Sequence, residues 1–130
     1  MKRGVLLLLT VMLLTACGQV KENDRSEVSM NITAEEAKRI MDSAEGYIIL
    51  DVREQYEYDA GHIPGAILIP YTQIEEKANE MLTDKDQLIL VYCRSGRRSK
   101  IAAEALVELG YTNIKEFGGI LDWPYEVERP

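Results

Sequence analysis

The stretch that decides the fold is Leu88-Ile89-Leu90-Val91-Tyr92-Cys93-Arg94-Ser95-Gly96-Arg97-Arg98-Ser99. Its first five residues form a continuous apolar run, which is typical of a strand buried on both faces of a parallel sheet. Beyond Ser99 the apolar residues recur at the spacing of one helical face, and Gly110 provides a stop signal. That face consists of Ile101, Ala102, Ala105, Leu106 and Leu109. A buried strand, a short polar loop and an amphipathic helix are therefore predicted in succession.

The same alternation of strand and helix extends outward from this stretch in both directions. Thr33-Ala34-Glu35-Glu36 is a capping box that predicts a helix to about Met41. Short apolar runs predict strands over residues 47–50 and 66–69, and a last strand is predicted over 114–117. A loop or short helix is predicted over 52–65 and a helix over 72–82. Alternating strands and helices indicate a parallel α/β sheet with right-handed crossovers. Residues 29–130 are the right length for one such domain.

The N-terminal segment carries an export signal. Lys2 and Arg3 precede a twelve-residue apolar run, which is shorter than the roughly 20 residues that span a bilayer. The run ends in Leu14-Thr15-Ala16-Cys17, which resembles the cleavage box of bacterial lipoproteins. The resemblance implies that residues 1–16 are removed as a signal peptide and that Cys17 carries the lipid, with palmitate among its acyl chains. The alternative is a soluble secreted protein with a coincidental cysteine.

These features predict where the mature protein resides. Residues 17–28 have the polar composition of a flexible tether. We expect the domain to be anchored to the cell membrane by lipid and to face the extracytoplasmic side. The net charge of the chain is −7, and loss of the two positive charges in the signal leaves −9. This balance argues against nucleic-acid binding and against adsorption to anionic lipid by charge.

The surroundings of Cys93 indicate a reactive thiolate. If Cys17 is acylated, Cys93 has no partner for a disulfide within the chain. The loop amides, a helix N-terminus and the side chains of Arg94, Arg97 and Arg98 all favour the thiolate over the thiol. Gly96 allows a tight turn, and Ser95 and Ser99 offer hydroxyl donors to a bound anion. We therefore expect an ionised sulfur that is open to solvent, although an inert core cysteine is the alternative.

The length of the loop separates two chemistries. Phosphatases and some arsenate reductases use C-x5-R, in which the arginine clamps a tetrahedral oxyanion with two hydrogen bonds. Here Arg98 is the fifth residue after Cys93 and Ser99 is the sixth, which gives C-x4-R. The smaller cradle favours a single sulfur atom on Cys93 over a whole phosphate.

Three segments in order resemble the rhodanese family: Asp51-Val52-Arg53-Glu54, Gly61-His62-Ile63-Pro64-Gly65-Ala66 and Cys93–Ser99. The resemblance covers about residues 29–130. It implies a three-layer α/β/α fold with a five-stranded parallel sheet flanked by helices. It also implies that Cys93 takes sulfane sulfur from a small anionic donor such as thiosulfate and holds it as a persulfide. A thiol or cyanide then accepts the sulfur, Arg98 and Arg94 steer the donor, and neither a metal nor an organic cofactor takes part.

The remaining residues of interest have more than one interpretation. We interpret His62 as fixing a turn rather than acting as a base, and Asp51 and Arg53 as a supporting ion pair rather than catalytic groups. Phe117 and Trp123 are assigned to the core. Besides an active sulfurtransferase, three functions stay open: a persulfide carrier or sensor with little turnover, a phosphatase or arsenate reductase, and a rhodanese-like binding module. The sequence identifies no protein partner.

Overall fold

The computed structural model describes residues 30–130, and strands alternate with helices throughout them. The helices are α1 (Ala34–Ser43), α2 (Gln55–Ala60), α3 (Ile74–Met81) and α4 (Arg97–Glu108). The strands are β1 (Ile48–Asp51), β2 (Ile67–Leu68), β3 (Ile89–Cys93) and β4 (Ile114–Gly119). Single 3-10 turns cover Tyr71–Gln73 and Ile120–Asp122. The predicted order of elements is confirmed, and the open segment 52–65 contains α2.

The sheet has the strand order β2-β1-β3-β4, and every pair is parallel. β3 lies in the interior of the sheet, and all five of its residues are buried. That position explains its uninterrupted apolar sequence, since a central strand meets helices on both faces. The carboxyl end of β3, where Cys93 lies, is the edge at which parallel α/β sheets build their sites.

The prediction of five strands is wrong for residues 30–130, which form four. The place of a fifth strand, beside β4, is taken by a single bridge between Asn31 and Glu116. The Ile32 amide donates to the Glu116 carbonyl at 2.8 Å, and the Glu116 amide donates to the Met30 carbonyl. Pairing stops there because Thr33 already caps α1. Its hydroxyl accepts from the Glu36 amide at 3.1 Å, and the Glu36 carboxylate accepts from the Thr33 amide at 2.8 Å.

Two apolar clusters lie on opposite faces of the sheet and make the fold three-layered. On one face Leu50, Val91 and Cys93 pack against α3 and α4. On the other face Leu90, Tyr92, Phe117 and Trp123 pack with α1. Neighbouring strand residues belong to different clusters because successive side chains point to opposite faces. Phe117 and Trp123 are core residues, as predicted.

The predictions for the N-terminal segment lie outside the described residues. The signal peptide at residues 1–16, the lipid on Cys17 and the tether at 17–28 therefore stay predictions. Within residues 30–130, none of the helices has the length and apolarity needed to span a bilayer.

Candidate active site

The loop that joins β3 to α4 forms the candidate active site. Cys93 is the last residue of β3, and α4 begins at Arg97. Gly96, between them, has φ +108°, a left-handed conformation that glycine adopts without a clash at Cβ. The chain therefore turns sharply from strand to helix and curls its backbone amides around the cysteine sulfur.

The sulfur of Cys93 receives hydrogen bonds from this loop. The Gly96 amide donates to Sγ at 3.0 Å, and the Ser99 hydroxyl oxygen lies 3.4 Å from Sγ. Burial alone raises the pKa of the Cys93 thiol, but hydrogen bonding with the Ser99 hydroxyl and with the amides of Ser99, Gly96 and Ser95 outweighs it and lowers the pKa overall. The expectation of an electropositive amide nest around the sulfur agrees with this geometry.

The expected exposure of the sulfur is wrong. Cys93 is only 1 % exposed and belongs to the apolar cluster beneath α3 and α4. The physical reason is its position in β3, because a residue that ends a central strand is still covered by the helices of that layer. A molecule that reacts with Cys93 therefore has to reach Sγ through the loop, because no open surface in the described part of the chain leads to the sulfur.

Gly118 and Gly119, at the end of β4, pack closely against the loop. A Cβ atom on Gly119 would lie 2.0 Å from the carbonyl oxygen of Arg94, closer than any real contact. The φ of Gly119 is −129°, so the demand for glycine comes from space and not from backbone conformation. The Leu121 amide also donates to the Arg94 carbonyl at 3.2 Å, which fixes the loop from the same side.

A shallow pocket of about 440 Å³ lies beside the loop. Four of the predicted site residues line it, together with two tyrosines and two glutamates. These are Arg94, Ser95, Arg97, Arg98, Tyr56, Tyr71, Glu54 and Glu57. Gly96 and Ser99, by contrast, are buried and contact the sulfur from within the loop. The predicted site residues thus divide into a pocket group and a buried group.

The three arginines have different surroundings. The Arg98 guanidinium forms two hydrogen bonds with the Glu57 carboxylate, at 2.6 and 2.9 Å, and this pairing raises the pKa of Arg98. Within residues 30–130, Arg94 and Arg97 form no ion pair and are exposed, and the Arg97 guanidinium lies 6.0 Å above the Tyr71 ring. The exposed positive charge at the pocket therefore belongs to Arg94 and Arg97, whereas the resemblance implied a role for Arg98 and Arg94.

Asp51 and Arg53 form the predicted ion pair, buried at the carboxyl end of β1. The Arg53 Nη2 atom lies 2.7 Å from Asp51 Oδ2 and 2.7 Å from the Gly61 carbonyl, to which it also donates. The Tyr92 hydroxyl donates to the same Asp51 oxygen at 2.7 Å and accepts from the Ile63 amide at 3.0 Å. The pair therefore secures β1 and the segment 61–63 to the residue just before Cys93.

His62 makes contacts that match a structural role. Its Nδ1 lies 3.0 Å from the Tyr58 carbonyl, and its ring stacks on Tyr58 with centroids 3.8 Å apart. Its Nε2 lies 3.3 Å from a Glu128 carboxylate oxygen, and the two backbones exchange hydrogen bonds. These contacts bind the C-terminal segment to the loop after α2.

Comparison with known proteins agrees with this arrangement. A family model described as a rhodanese-like domain matches residues 33–125. The chain belongs to the rhodanese family. The buried ion pair, the turn at His62 and the Cys93 loop are thus features of a rhodanese-like α/β domain, with helices on both faces of a parallel sheet.

Relatives in this family include proteins with sulfur-transfer names. The chain is 40 % identical over 80 residues to the thiosulfate sulfurtransferase PspE of Escherichia coli, an alignment that covers 62 % of this chain and 75 % of PspE. It is 41 % identical over 98 residues to the "Putative sulfur carrier protein YrkF" of Bacillus subtilis, covering 75 % of this chain and 52 % of YrkF. The chain therefore spans about half the length of YrkF.

A solved structure gives the same fold. The rhodanese-like domain protein of Staphylococcus aureus superposes with a TM-score of 0.68 at 31 % sequence identity. The superposition covers 77 % of this chain and 97 % of that protein.

Two glutamates of this rhodanese site were missed by sequence reasoning. Glu57 holds Arg98, and Glu116 accepts from the Ser99 hydroxyl at 2.6 Å. Glu116 carried a signal, because it is an acidic residue within a predicted strand. Glu57 carried a weaker one, since it also closes a capping box with Glu54 at the start of α2.

Proposed function

We propose that this protein is a sulfurtransferase that moves sulfane sulfur through a persulfide on Cys93. The Cys93 thiolate attacks the outer sulfur of a donor such as thiosulfate. The S–S bond of the donor breaks, sulfite leaves with the electron pair, and Cys93 holds the transferred sulfur as a persulfide. A thiolate or cyanide then attacks the outer sulfur, and the Cys93 thiolate departs. The observation that carries this proposal is the loop at the carboxyl end of β3, in which the Gly96 amide donates to Cys93 Sγ at 3.0 Å and hydrogen bonding lowers the pKa of the buried thiol.

Donor binding follows from the charges at the pocket. Thiosulfate is a small dianion, and the exposed guanidinium groups of Arg94 and Arg97 line the pocket beside the loop. Glu54 and Glu57 lie on the same pocket, and the pairing of Glu57 with Arg98 limits the repulsion that an incoming anion meets.

Thiocyanate formation from thiosulfate and cyanide tests the proposal. We expect the wild-type protein to produce thiocyanate and Cys93→Ser to produce none above the uncatalysed rate. Cys17→Ser is the matched control, because it removes the other cysteine and should retain full activity. Equal activity in wild type and Cys93→Ser would contradict the proposal.

A second candidate, a persulfide carrier with little turnover, is favoured by the 1 % exposure of Cys93. A buried persulfide is protected from small thiols in solution and is kept for transfer to a protein acceptor. The resemblance to YrkF, which carries a sulfur-carrier name, points the same way. A carrier would show stoichiometric sulfur loading on Cys93 but negligible multiple turnover with cyanide, whereas the enzyme would show both.

We also propose that the mature protein is a lipoprotein held at the extracytoplasmic face of a membrane through Cys17. The support is the short apolar run that ends at the Leu14-Thr15-Ala16-Cys17 box. The small anionic donor and the thiol acceptor would then come from that compartment.

A further inference from the structure

A buried glutamate lies one hydroxyl group away from Cys93. Glu116, on β4, is 2 % exposed, and within residues 30–130 it takes part in no ion pair. Its Oε1 accepts from the Gly118 amide at 2.8 Å and from the Ser99 hydroxyl at 2.6 Å. Burying a carboxylate without a cation is costly. Its position beside the nucleophile therefore needs a physical reason.

The Ser99 hydroxyl connects this carboxylate to the sulfur. A hydroxyl has one hydrogen to donate, and three acceptors surround the Ser99 oxygen. They are Glu116 Oε1 at 2.6 Å, the Gly96 carbonyl at 2.9 Å and the Gly118 carbonyl at 3.3 Å, and the Cys93 thiol donates to the same oxygen from 3.4 Å. The shortest distance is that of a hydroxyl donating to a carboxylate. The hydroxyl hydrogen therefore points at Glu116, and a lone pair of the same oxygen is left for a protonated Cys93 to donate to.

We propose that Glu116 acts through Ser99 as the internal acceptor of the Cys93 proton. The S–H hydrogen passes to the Ser99 oxygen while the Ser99 hydrogen passes to Glu116 Oε1. The products are a Cys93 thiolate, an intact Ser99 hydroxyl that now donates to Sγ, and a neutral Glu116 carboxylic acid. One proton has moved and the total charge of the three groups is unchanged. Glu116 is a positioning residue in this scheme, since it reaches the sulfur only through Ser99.

The relay supplies the buried Cys93 thiol with a proton acceptor inside the protein. Because Cys93 is only 1 % exposed, an internal group is better placed than bulk water to accept its proton. The role of the relay in turnover rests on the proposed sulfurtransferase function. When an acceptor thiolate takes the outer sulfur, the departing Cys93 sulfur recovers the stored proton along the same path, and Glu116 is ionised again.

The other charged groups around the relay are few. Arg98 is the cation whose charge interacts with the Cys93 sulfur, and Glu57 pairs with it from α2. Arg94 and Arg97 lie on the exposed side of the loop. Toward Glu116, the neighbours in the sheet are Val91 on β3 and Asn31, which forms a parallel bridge with Glu116. Ser99 is the group that joins the Glu116 carboxylate to the sulfur.

Alkylation of Cys93 in the full chain tests the relay without any sulfur donor. Iodoacetamide reacts with the thiolate, and the reaction is run at several pH values between about 5.5 and 10. The mass of the tryptic peptide 86–94 then reports how much Cys93 has been alkylated. We expect Glu116→Gln to react at least about tenfold more slowly than wild type near pH 6, with the two rates meeting above about pH 9. Glu104→Gln, which removes an exposed carboxylate from α4, should match wild type.

The sign of the effect separates the relay from simple electrostatics. Removing a nearby negative charge by itself favours the thiolate and would make Glu116→Gln react faster. A rate near pH 6 equal to or above that of wild type would therefore overturn the proposal. The glutamine oxygen can still accept from the Gly118 and Ser99 donors, so the fold is expected to persist, as checked by circular dichroism.

Ser99→Ala provides an independent test that keeps the buried carboxylate. It should slow alkylation near pH 6 as much as Glu116→Gln does, and the double variant should show no further loss. Wild-type rates in Ser99→Ala would overturn the relay even if Glu116→Gln failed to fold. Thiocyanate production by wild type is scored separately. If wild type produces no thiocyanate but the two variants are alkylated slowly, the proposed function is rejected and the relay is retained. If wild type produces thiocyanate but the variants are alkylated at the wild-type rate, the relay alone is rejected.

Discussion

At the level of single residues, two opposing effects act on the Cys93 sulfur. Burial in the apolar layer beneath α3 and α4 raises the pKa of the thiol, and the hydrogen bonds of the loop lower it by a larger amount. The balance depends on the loop amides holding their positions around Sγ. Those positions depend in turn on how closely β4 approaches the loop.

Gly119→Ala is predicted to disrupt the loop from outside. The added methyl group would lie 2.0 Å from the Arg94 carbonyl, so the loop has to move. We expect the free energy of unfolding to fall by about 1–3 kcal/mol, the usual cost of overpacking, and sulfurtransferase activity to fall at least about tenfold. Urea unfolding and thiocyanate formation measure the two effects.

Gly65→Ala is the matched control for this change. Gly65 has φ +82° but nothing within 4 Å of an added Cβ, so only backbone strain is introduced. We expect a loss of about 1 kcal/mol and unchanged activity. Wild-type activity in Gly119→Ala would show that the close packing of β4 does not position the loop.

Sequence reasoning located residues whose partners are close in the chain. Cys93 follows an unmistakable strand, and Asp51 lies two positions from Arg53, so the site and the ion pair could both be predicted. Glu57 and Arg98 are 41 residues apart, and Ser99 and Glu116 are 17 apart. Such pairings depend on how the strands are ordered in the sheet, which no local pattern encodes.

At the level of elements, the loop after β3 and the start of α4 present their arginines to two different environments. Arg98 is held by Glu57 of α2, while Arg94 and Arg97 remain exposed at the pocket. α2 and α4 are thereby linked across the carboxyl edge of the sheet. The arrangement separates a structural cation from two cations available to an anion.

Arg94→Gln and Arg97→Gln are each predicted to weaken donor binding. We expect the KM for thiosulfate to rise about threefold to tenfold with kcat nearly unchanged, because an exposed charge contributes modestly and is screened by solvent. Lys100→Gln, an exposed cation on the same helix, is the control and should leave KM unchanged. Unchanged KM in both arginine variants would remove them from donor binding. Steady-state thiocyanate assays at fixed ionic strength give these values.

The link between α2 and α4 should depend on pH. The hydrogen bonds from Arg98 lower the pKa of Glu57 in the folded protein. The stability they add is therefore complete above the ordinary pKa of a glutamate, about 4.3, and is lost as pH falls through the lowered value. Glu57→Gln should be less stable than wild type at pH 7, and the difference should shrink towards pH 3. Urea unfolding at several pH values measures it, and a constant difference would contradict the assignment.

Most elements followed from periodicity, and the one error concerned a strand that is barely present. The helix at Thr33 was predictable because its capping box is local, and β3 because an interior strand is apolar throughout. The fifth strand was implied only by the family resemblance, and it is absent from residues 30–130 because Asn31 contributes one bridge before Thr33 caps α1.

At the scale of the whole molecule, an acidic chain places two exposed arginines, Arg94 and Arg97, around the loop after β3. The net charge of −7 repels anions from most of the surface, so the loop after β3 is the local exception. The same acidity keeps an anionic membrane surface at a distance. A lipid, rather than charge, would then hold the domain at the membrane.

Lipidation of Cys17 is predicted to decide where the protein is found. We expect the wild-type chain, expressed in a bacterium, to fractionate with membranes and to begin at an acylated Cys17. Cys17→Ser should retain thiosulfate-dependent activity but leave the membrane fraction. The intact mass of both proteins reports processing and acylation directly. An unacylated wild-type chain found free of membranes would refute the lipoprotein prediction.

The central claim is that the Cys93 sulfur accepts and releases a sulfur atom, and intact mass tests it most directly. On addition of thiosulfate, the account predicts a gain of about 32 Da on wild type, confined to Cys93, and its loss when cyanide is added. Cys93→Ser should gain nothing, and Cys17→Ser should behave as wild type. An unchanged wild-type mass, or an equal gain in Cys93→Ser, would contradict the account.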